Sequence, residues 1–502
     1  MAALRWAVAV LAAVAIAIAV WQLERDRAGL VIAPLEVPGG TPATLWLREG
    51  GDPAPVVVIA HGFAGSRQLM EPFALTLAQA GYTVASFDFE GHGRNPVPMR
   101  GDVTTVQGTT QFLMAETARV AEAALAHPRA DGRLAFLGHS MASDIIVRTA
   151  LADARTGAVV AVSMFSRAVT ETEPPNLLVI AGEWEARLRE EAVRALHLAD
   201  PTAGEGETVG DPADGSARRA VMAPSVEHVG VLYSATALRE ARAWLDAAFG
   251  RESGGEVALR GGWIVLLLAG VVGLGWPLAR FLPAGGAGAP RLPPRLPRGR
   301  FWAAVLIPAV LVPLILWPIE TRVLPVLVAD YLAVHFALYG ALTLLLLGRW
   351  GALAGQFPPR VWWIALAVAV FGIAVFGGAL DRYVASFFPH PGRAAVIGGL
   401  ALGAVAYMLG DAVLTEGGRA PVWRVLAARG AFLTSLAAAV ALDFQRLFFL
   451  VIILPIIVLF FLLFGMMAGW VGRRTGLPAA GGLGLGLVLA WALGVTFPMF
   501  AV

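Results

Sequence analysis

From Gly261 onward the chain is a series of apolar stretches that a water-soluble core cannot accommodate, and this feature limits its fold more than any other. A segment that crosses a bilayer needs about 20 apolar residues, and it forms a helix because no water is present to bond its backbone. We therefore predict an all-α transmembrane domain over residues 261–502. Its seven or eight spans are predicted near Gly262–Leu278, Phe301–Pro318, Leu324–Leu347, Val361–Leu380, Ala394–Leu414, Ala431–Leu442, Leu447–Trp470 and Pro478–Val502. The count depends on Ala431–Leu442, which is short.

Another apolar segment, Ala2–Trp21, stands at the beginning of the chain. Its only charged residue is Arg5, near its beginning, and a charged run follows it. It is long enough to span a bilayer, so we predict a signal anchor over residues 1–22. Ala17-Ile18-Ala19 also fits the small-residue pattern of a signal-peptide cleavage site, which leaves a cleaved signal peptide as the alternative. Both interpretations place the residues that follow on the same side of the membrane.

The arginines predict which side that is, since the chain contains no lysine and cytoplasmic loops carry the excess of positive charge. The predicted loops on the two sides of the membrane hold unequal numbers of arginines. The loops on one side have Arg280, Arg291, Arg295, Arg298, Arg300, Arg349, Arg360, Arg419, Arg424, Arg429, Arg473 and Arg474, and those on the other side have Arg260, Arg322, Arg382, Arg393 and Arg446. The larger set is expected in the cytoplasm. We therefore expect a protein of the bacterial cytoplasmic membrane whose residues from about 21 to 261 face the periplasm or the exterior.

The polar part of the chain is predicted to form a separate domain over residues 30–250, joined by a hinge at 251–260. Within it the apolar run Leu134–Leu137 leads into Gly138-His139-Ser140-Met141-Ala142, a pattern that indicates a strand, a tight turn and a helix. The turn requires small residues two positions before and after the serine, and Gly138 and Ala142 meet that need. This arrangement is typical of the nucleophile elbow of a serine hydrolase.

Two further strand-to-loop motifs precede the elbow. Val56–Ala60 leads into His61-Gly62-Phe63-Ala64-Gly65, and Thr83–Phe87 leads into Asp88-Phe89-Glu90-Gly91-His92-Gly93-Arg94. In this order the three motifs resemble the α/β-hydrolase superfamily, in particular its lipase, esterase and lysophospholipase-like branch, over roughly Pro55–Phe249. The resemblance implies a mostly parallel sheet between layers of helices, and a catalytic triad in the order serine, acid, histidine.

That order places the triad acid after a later strand. The apolar run Asn176–Ala181 is followed by Gly182-Glu183-Trp184-Glu185, where members of the superfamily usually carry Gly-x-x-Asp. Glu185 is therefore the predicted acid for the nucleophile Ser140, and Glu183 is the alternative two residues away.

The histidine should close the domain, and His228 lies between a predicted last strand, Ala220–Ala223, and a predicted final helix, Ala235–Phe249. We predict that His228 takes the proton of the serine and returns it to the leaving group. The backbone N–H groups of Phe63 and Met141 are the expected oxyanion hole, as the resemblance implies.

The remaining motif residues are expected to shape the site. A structural role in the oxyanion loop is favoured for His61 and Gly62, and His139 is expected to line the pocket wall or to pack under the turn. The interval between the predicted sixth strand, Ala158–Ser163, and the strand beginning at Leu177 is short, so we expect a minimal lid that leaves the pocket open or covered by another part of the chain.

Composition narrows the function further. A formal net charge of +2 and scattered arginines give no basic stripe for nucleic acid, so no nucleic-acid partner is expected. The absence of cysteine excludes disulfides and thiolate metal sites. No phosphate-binding or dinucleotide-binding glycine motif is present, and we expect neither a cofactor nor a metal.

Three ionisable residues lie within the predicted spans, where charge is costly and often functional. Asp330 and His335 are five residues apart and so do not share a helix face, and Asp411 on another span is a candidate partner for His335. A structural role is favoured over transport, and the glycines around Gly403 and Gly482 are expected to allow close helix packing.

The sequence therefore favours a serine hydrolase held in the lipid bilayer that cleaves an ester or thioester of a hydrophobic or lipid-like acyl substrate. A transporter or flippase whose hydrolase domain modifies the cargo is the first alternative. The second is a domain that keeps the fold and serves as a non-catalytic binding module.

Overall fold

The computed structural model of the protein describes residues 2–103, 105–285, 295–447 and 449–501. Arg291, one of the arginines used to predict orientation, lies outside them, as do residues 1 and 502 of the predicted terminal domains. The strands of the described part are β1 (Leu30–Leu35), β2 (Ala43–Arg48), β3 (Ala54–Ala60), β4 (Thr83–Phe87), β5 (Ala130–His139), β6 (Thr156–Val162), β7 (Leu177–Gly182), β8 (Thr208–Val209) and β9 (Arg218–Ala223).

The helices divide between the two halves of the chain. Those of the first half are α1 (Ala2–Arg25), α2 (Glu71–Gln79), α3 (Gln111–Leu125), α4 (Met141–Ala152), α5 (Ala186–His197) and α6 (Ala235–Ala248). Those of the second half are α7 (Gly261–Leu278), α8 (Arg298–Leu316), α9 (Ala329–Arg349), α10 (Arg360–Val370), α11 (Gly377–Tyr383), α12 (Ala394–Leu414), α13 (Val422–Leu442), α14 (Phe444–Leu447), α15 (Phe449–Thr475) and α16 (Pro478–Thr496).

The strands form one sheet in the order β1-β2-β4-β3-β5-β6-β7-β9-β8. The pairs from β4 to β9 are parallel, and the antiparallel pairs β1–β2, β2–β4 and β8–β9 lie at the two edges. The central strands are buried on both faces, which explains why their sequences are continuous apolar runs. This is the α/β-hydrolase fold that the motifs predicted.

Alternate residues of the central strands enter two separate cores. Val57 and Ile59 pack with residues of α2 and α6 on one face of the sheet, while Val56 and Val58 pack with residues of α3, α4 and α5 on the other. Since parallel strands all end at the same edge, the loops after β3, β4, β5, β7 and β9 meet there.

The C-terminal region is helical, as predicted. Within the described residues, nine helices are long and apolar enough to cross a bilayer: Ala2–Arg25, Gly261–Phe281, Arg298–Leu316, Ala329–Arg349, Arg360–Tyr383, Pro391–Leu414, Val422–Leu442, Ile456–Thr475 and Pro478–Thr496. The last of these, α16, is buried among α10, α12 and α15. At Gly482 a Cβ would lie 2.7 Å from the carbonyl oxygen of Met408, so glycine permits this close helix contact.

The structure corrects two predicted boundaries. The short span at Ala431–Leu442 belongs to a 21-residue helix that begins at Val422; the sequence pattern hid its first turns because they contain Arg424 and Arg429. The last span was predicted to run to Val502, but α16 ends at Thr496, before Pro498. Because the residue before a proline disfavours helical backbone, Phe497 is extended (ψ 138°) and the chain leaves the helix.

The residues after α16 join the two regions. Met499 N–H donates to Gly91 O (2.9 Å), and Met99 N–H donates to Met499 O (2.8 Å). The buried guanidinium of Arg393 donates to the carbonyl oxygens of Gly91, Gly494 and Phe497 at 2.6, 2.9 and 2.7 Å. The turn after β4 is therefore bonded to the helical region by backbone and side chain.

A second junction lies where α1 and α7 meet the α/β region. Arg260 is fully buried there; it donates to Leu23 O (3.0 Å) and lies 3.2 Å from the carboxylate of Glu71, which also pairs with Arg27 (3.1 Å). Residues 251–260, predicted as a hinge, pack against the α/β region, with Ala258 N–H donating to the hydroxyl of Thr76 (3.0 Å).

Candidate active site

The predicted nucleophile elbow is a strand-to-helix turn with a strained backbone. Ser140 stands between β5 and α4 with φ 55° and ψ −119°, a conformation that residues with a side chain rarely adopt. Its N–H donates to Val162 O (2.9 Å) on β6, which holds the turn at the edge of the sheet. A Cβ at Gly138 would lie 3.0 Å from the carbonyl oxygen of Ala142, so this position requires a very small residue.

The structure brings together Ser140, His228 and Glu185. The hydroxyl of Ser140 donates to Nε2 of His228 (2.8 Å), and Nδ1–H of His228 donates to Oε1 of Glu185 (2.5 Å). The serine follows β5, the glutamate follows β7, and the histidine follows β9. The relay therefore forms where three strand ends meet.

Glu185 is held as a carboxylate by its surroundings. Its Oε2 accepts hydrogen bonds from Gly182 N–H (2.6 Å) and from the hydroxyl of Ser163 (2.8 Å). Burial raises the pKa of Glu185, but these bonds and that from His228 outweigh burial and leave the pKa below its ordinary value. The alternative acid, Glu183, instead accepts from Ser225 N–H (2.7 Å) at the surface.

The two expected oxyanion donors flank Ser140. Met141 is the first residue of α4, and Phe63 follows Gly62, where a Cβ would lie 3.0 Å from Cβ of Ser140. Glycine at position 62 therefore lets the loop after β3 approach the nucleophile. Neither N–H is bonded to an acceptor among the described residues, so both remain able to bind a negatively charged oxygen.

His61 and His139 support this arrangement as neutral imidazoles. Nδ1–H of His61 donates to Gly62 O (2.7 Å) and its Nε2 accepts from Phe89 N–H (3.1 Å), which fixes the oxyanion loop against the turn after β4. Nε2–H of His139 donates to His228 O (2.8 Å) and so holds the loop that carries the base. Burial lowers the pKa of His61, and burial together with the nearby His228 lowers the pKa of His139 to about 3.

Sequence reasoning missed two supporting residues. Ser163 follows β6 with a positive φ of 52°, and its hydroxyl donates to Glu185; no feature of the sequence indicated this role. Asp88 is fully buried and accepts from Arg67 N–H (2.8 Å) and Arg94 N–H (3.0 Å), which ties the oxyanion loop to the turn after β4. Asp88 begins the Asp-Phe-Glu-Gly-His-Gly-Arg motif, so its position was a signal that could have been used.

The helical region touches the oxyanion loop directly. The ring of Phe63 stacks on Phe449 at the beginning of α15, with centroids 4.7 Å apart. Ser386 N–H donates to the hydroxyl of Ser66 (3.0 Å), and Arg94 pairs with Asp381 (2.6 Å). The helical region therefore contacts both the loop after β3, which carries one expected oxyanion donor, and the turn after β4.

The ionisable residues flagged in the helical region have separate partners. The predicted pairing of Asp411 with His335 is wrong: Asp411 pairs with Arg429 (3.1 Å), while His335 lies within hydrogen-bond distance of the hydroxyls of Ser435 (3.2 Å) and Tyr331 (3.3 Å). Asp330 accepts from two backbone N–H groups before α9. Among the described residues there is also no group of three His, Asp or Glu side chains that could hold a metal ion.

Comparison with known proteins supports the fold. The sequence pattern of the family described as serine aminopeptidase, S33, matches residues 51–209, a range that includes Ser140 and Glu185 but ends before His228. Residues 51–209 therefore carry an α/β-hydrolase domain. No curated protein matches the chain.

Several solved structures are similar to part of the chain. A dienelactone hydrolase from Anabaena variabilis is 16% identical, with 43% of this chain and 96% of that chain covered and a TM-score of 0.30. A hypothetical protein from Pseudomonas aeruginosa is 14% identical, with 41% and 89% covered and a TM-score of 0.30. An epoxide hydrolase from Vigna radiata is 19% identical, with 28% and 41% covered and a TM-score of 0.22.

Proposed function

We propose that the chain is a membrane-embedded serine hydrolase that cleaves a carboxylic ester or thioester of a hydrophobic acyl substrate through an acyl-enzyme on Ser140. The observation that carries the proposal is the relay of Ser140, His228 and Glu185, with donor-to-acceptor distances of 2.8 and 2.5 Å. Such a relay lets a serine act as a nucleophile at neutral pH.

Each group has one task in the reaction. Ser140 Oγ attacks the carbonyl carbon while its proton passes to Nε2 of His228, and the N–H groups of Phe63 and Met141 bind the oxyanion. The carbon–oxygen or carbon–sulfur bond then breaks, and His228 protonates the leaving alcohol or thiol. Water, activated by the same histidine, releases the acid from the serine. Glu185 keeps Nδ1 protonated and stabilises the imidazolium.

The surroundings of the site favour an apolar substrate. Phe165, Trp184 and Val229 follow β6, β7 and β9 at the edge that carries the relay, and their side chains are 59%, 67% and 39% exposed. Phe63, which supplies an oxyanion donor, stacks on α15. The site therefore lies beside the end of the helical region, where a substrate that partitions into a bilayer would be concentrated.

The number of helices and the distribution of arginines together support an exterior location for the α/β region. Among the described residues, eight of the nine candidate spans follow it, and an even number of crossings returns the chain to its starting side. Residues 499–501 contact Gly91 and Met99 of the α/β region, as expected if the two ends of the helical region lie on the same side of the membrane. The arginine-rich loops then belong in the cytoplasm, so we place the α/β region in the periplasm or outside the cell.

Fluorophosphonate labelling tests the proposed reaction. Wild-type protein in detergent micelles should be labelled, and Ser140→Ala should not. With p-nitrophenyl esters from acetate to palmitate, the rate should show an optimum at medium or long chains. Aminoacyl p-nitroanilides, chosen because of the family description, should be poor substrates. Absence of labelling in folded wild-type protein would contradict the proposal and favour a non-catalytic domain.

Membrane orientation has its own test, since the chain lacks cysteine and a single introduced thiol is unambiguous. In intact spheroplasts, Asp52→Cys on the exposed surface of the α/β region should react with an impermeant maleimide. Arg349→Cys, at the exposed end of α9, should react only after permeabilisation. The reverse pattern would place the α/β region in the cytoplasm.

A further inference from the structure

A cavity of about 310 Å³ lies at the end of the helical region that is farthest from the α/β region. It is lined by Arg295, Leu296, Ala352, Gln356, Val413, Leu414, Glu416, Arg419, Arg424 and Pro478. Helix α12 begins beside Arg393, which bonds Gly91 of the α/β region, and it ends at the cavity after 21 residues. At 1.5 Å per residue it rises about 32 Å, which is the thickness of a bilayer core.

The charges around this cavity do not balance. Three guanidinium groups face one carboxylate, and that carboxylate is already bound: Arg295 donates to both oxygens of Glu416, at 2.6 and 2.9 Å. Arg419 donates only to the backbone carbonyl of Glu416 (3.1 Å). Within the described residues, neither Arg419 nor Arg424 has a carboxylate partner.

Arg424 is the more unusual of the two because it is 4% exposed. Its Nη2 donates to Leu296 O (2.7 Å) and its guanidinium carbon lies 4.7 Å from the ring centroid of Phe301, but its Nε has no hydrogen-bond partner in the described structure. A buried cation needs a counter-charge or several acceptors, since its desolvation costs several kcal/mol. One carbonyl and two aromatic rings, those of Phe301 and Trp423, supply only part of that compensation.

Three other buried arginines have a carboxylate or more carbonyl acceptors beside them, and Nε of Arg393 and of Arg260 is likewise without a hydrogen-bond partner in the described structure. Arg393 donates to three carbonyl oxygens, Arg429 pairs with Asp411, and Arg260 lies against Glu71 and Asp26. Arg424, unlike these three, lines the cavity described above. An anion bound in that cavity would give Arg424 and Arg419 the partner that the protein does not provide.

The rest of the cavity wall indicates what else the ligand carries. Leu296, Ala352, Val413, Leu414 and Pro478 are apolar, and the cavity lies at the depth of the second membrane surface under the proposed embedding. Arginine binds phosphate oxygens in a two-pronged geometry. Basic pockets between helices at the cytoplasmic side are also known to bind anionic lipid headgroups.

We propose that this cavity binds a phosphate-bearing anion, and its apolar wall favours an anionic phospholipid of the cytoplasmic leaflet over a soluble phosphate. Arg424 and Arg419 bind the phosphate, and the apolar residues contact the first part of the acyl chains. This site is separate from Ser140, and it does not depend on the chemistry proposed there.

Lipid-dependent stability of the purified full chain tests the site. The melting temperature is measured in detergent micelles with added phosphatidylglycerol, with phosphatidylcholine, or with inorganic phosphate. Phosphatidylglycerol should raise it and phosphatidylcholine should not. Loss of one charge-assisted hydrogen bond corresponds to roughly a 10-fold to 100-fold weaker affinity, so Arg424→Gln should need that much more phosphatidylglycerol for the same shift.

Two variants keep the result interpretable. Arg349→Gln removes an exposed arginine at the same end of the bundle and should retain the wild-type response. If Arg424→Gln fails to fold, Arg419→Gln on the exposed rim replaces it, and fluorophosphonate labelling of Ser140 or circular dichroism reports folding. An equal response of wild type and of the cavity variants, or an equal effect of the two lipids, would overturn the site. A shift with inorganic phosphate alone that phosphatidylglycerol does not exceed would overturn the lipid source.

Discussion

The relay of the α/β region and the Arg393 contacts of the helical region are built from different kinds of buried polar group. In the α/β region, side chains at the strand ends bond one another in a relay, from Ser140 through His228 to Glu185. In the helical region, buried arginines donate to backbone carbonyls, as Arg393 does to Gly494 and Phe497 at the end of α16. A histidine exchanges protons near neutral pH, whereas arginine does not. The first arrangement can therefore perform acid–base chemistry, and the second fixes positions.

The two arrangements meet at the turn after β4. Arg393 also donates to Gly91 O, and the same turn bonds the oxyanion loop through His61 and Asp88. The helical region is consequently connected to the site by hydrogen bonds as well as by the Phe63–Phe449 stack. The comparison predicts that changes in the relay affect reaction rate alone, while changes in the arginine contacts affect stability and rate together.

The largest effect is expected from the relay. Glu185→Gln should lower kcat about 10⁴-fold with little change in folding, because an amide cannot hold His228 in the tautomer that accepts the serine proton. Burst kinetics with a p-nitrophenyl ester and the rate of fluorophosphonate labelling measure the effect. Glu183→Gln, two residues away at the surface, is the matched control and should keep most of the activity. Equal loss in both variants would show that Glu185 has no special role.

Arg393→Leu should have the next largest effect, on stability. It leaves the buried carbonyl oxygens of Gly494 and Phe497 without a donor, at roughly 1–2 kcal/mol each, so unfolding should become about 2–4 kcal/mol easier. The carbonyl oxygen of Gly91 loses one of its two donors and keeps Met499 N–H. Thermal unfolding in micelles measures this, and the labelling rate of Ser140 should fall in parallel. The stability of Arg393→Lys, which retains a positively charged donor, should lie between that of the wild type and that of Arg393→Leu. If Arg393→Leu were destabilised but labelled at the wild-type rate, the contacts of Arg393 would have no influence on the reactivity of Ser140.

The sequence predicted the parts of the site that depend on local pattern. Small residues around Ser140, the glycine before Phe63 and the strand before Glu185 each reflect a backbone requirement that acts within a few residues. The fold class and the helical region followed from the same kind of signal, since apolar runs report burial directly.

What the sequence did not predict depends on contacts between distant residues. Arg424 and Arg429 interrupt the apolar pattern of α13, and only their partners Leu296 and Asp411 explain why the helix continues through them. The partners of Asp411 and Ser163, and the pairing of Met499 with Gly91, likewise require the packed structure. Each of these contacts joins segments that are distant in the sequence, and nothing in the sequence pattern indicates that they pair.

Buried neutral histidines predict a response to acid that belongs to the α/β region. Burial lowers the pKa values of His61, His92 and His139, so below about pH 6.5 the unfolded chain takes up protons that the folded chain does not. The free energy of unfolding should therefore fall as the pH decreases from about 6.5, and the share of His139 should approach roughly 1.4 kcal/mol per pH unit. For His139 this continues until the pH approaches its folded pKa of about 3.

The variant His139→Gln removes the contribution of His139 to the pH dependence of the free energy of unfolding. Glutamine can still donate to His228 O, but it does not titrate, so the pH dependence of stability should become shallower by about 1.4 kcal/mol per unit, or about 2 kcal/mol at pH 5. Thermal unfolding of the variant and the wild type at pH 5 and pH 8 measures the difference. An unchanged slope would mean that His139 is protonated in the folded protein, which is incompatible with its role as a neutral donor.

The smallest effect is expected at an exposed ion pair that joins α1 to α11. Arg382 and Glu24 pair at 2.8 Å, but their side chains are 46% and 39% exposed, in contrast to the buried Arg260 and Glu71. Exposed pairs contribute about 1 kcal/mol or less, since water already stabilises both charges. A double-mutant cycle with Arg382→Gln and Glu24→Gln should give a coupling energy in that range, and added salt should reduce it further. A coupling energy above about 2 kcal/mol would mean that lipid headgroups shield this pair from water. The pair would then have to be treated as buried by the surrounding lipid.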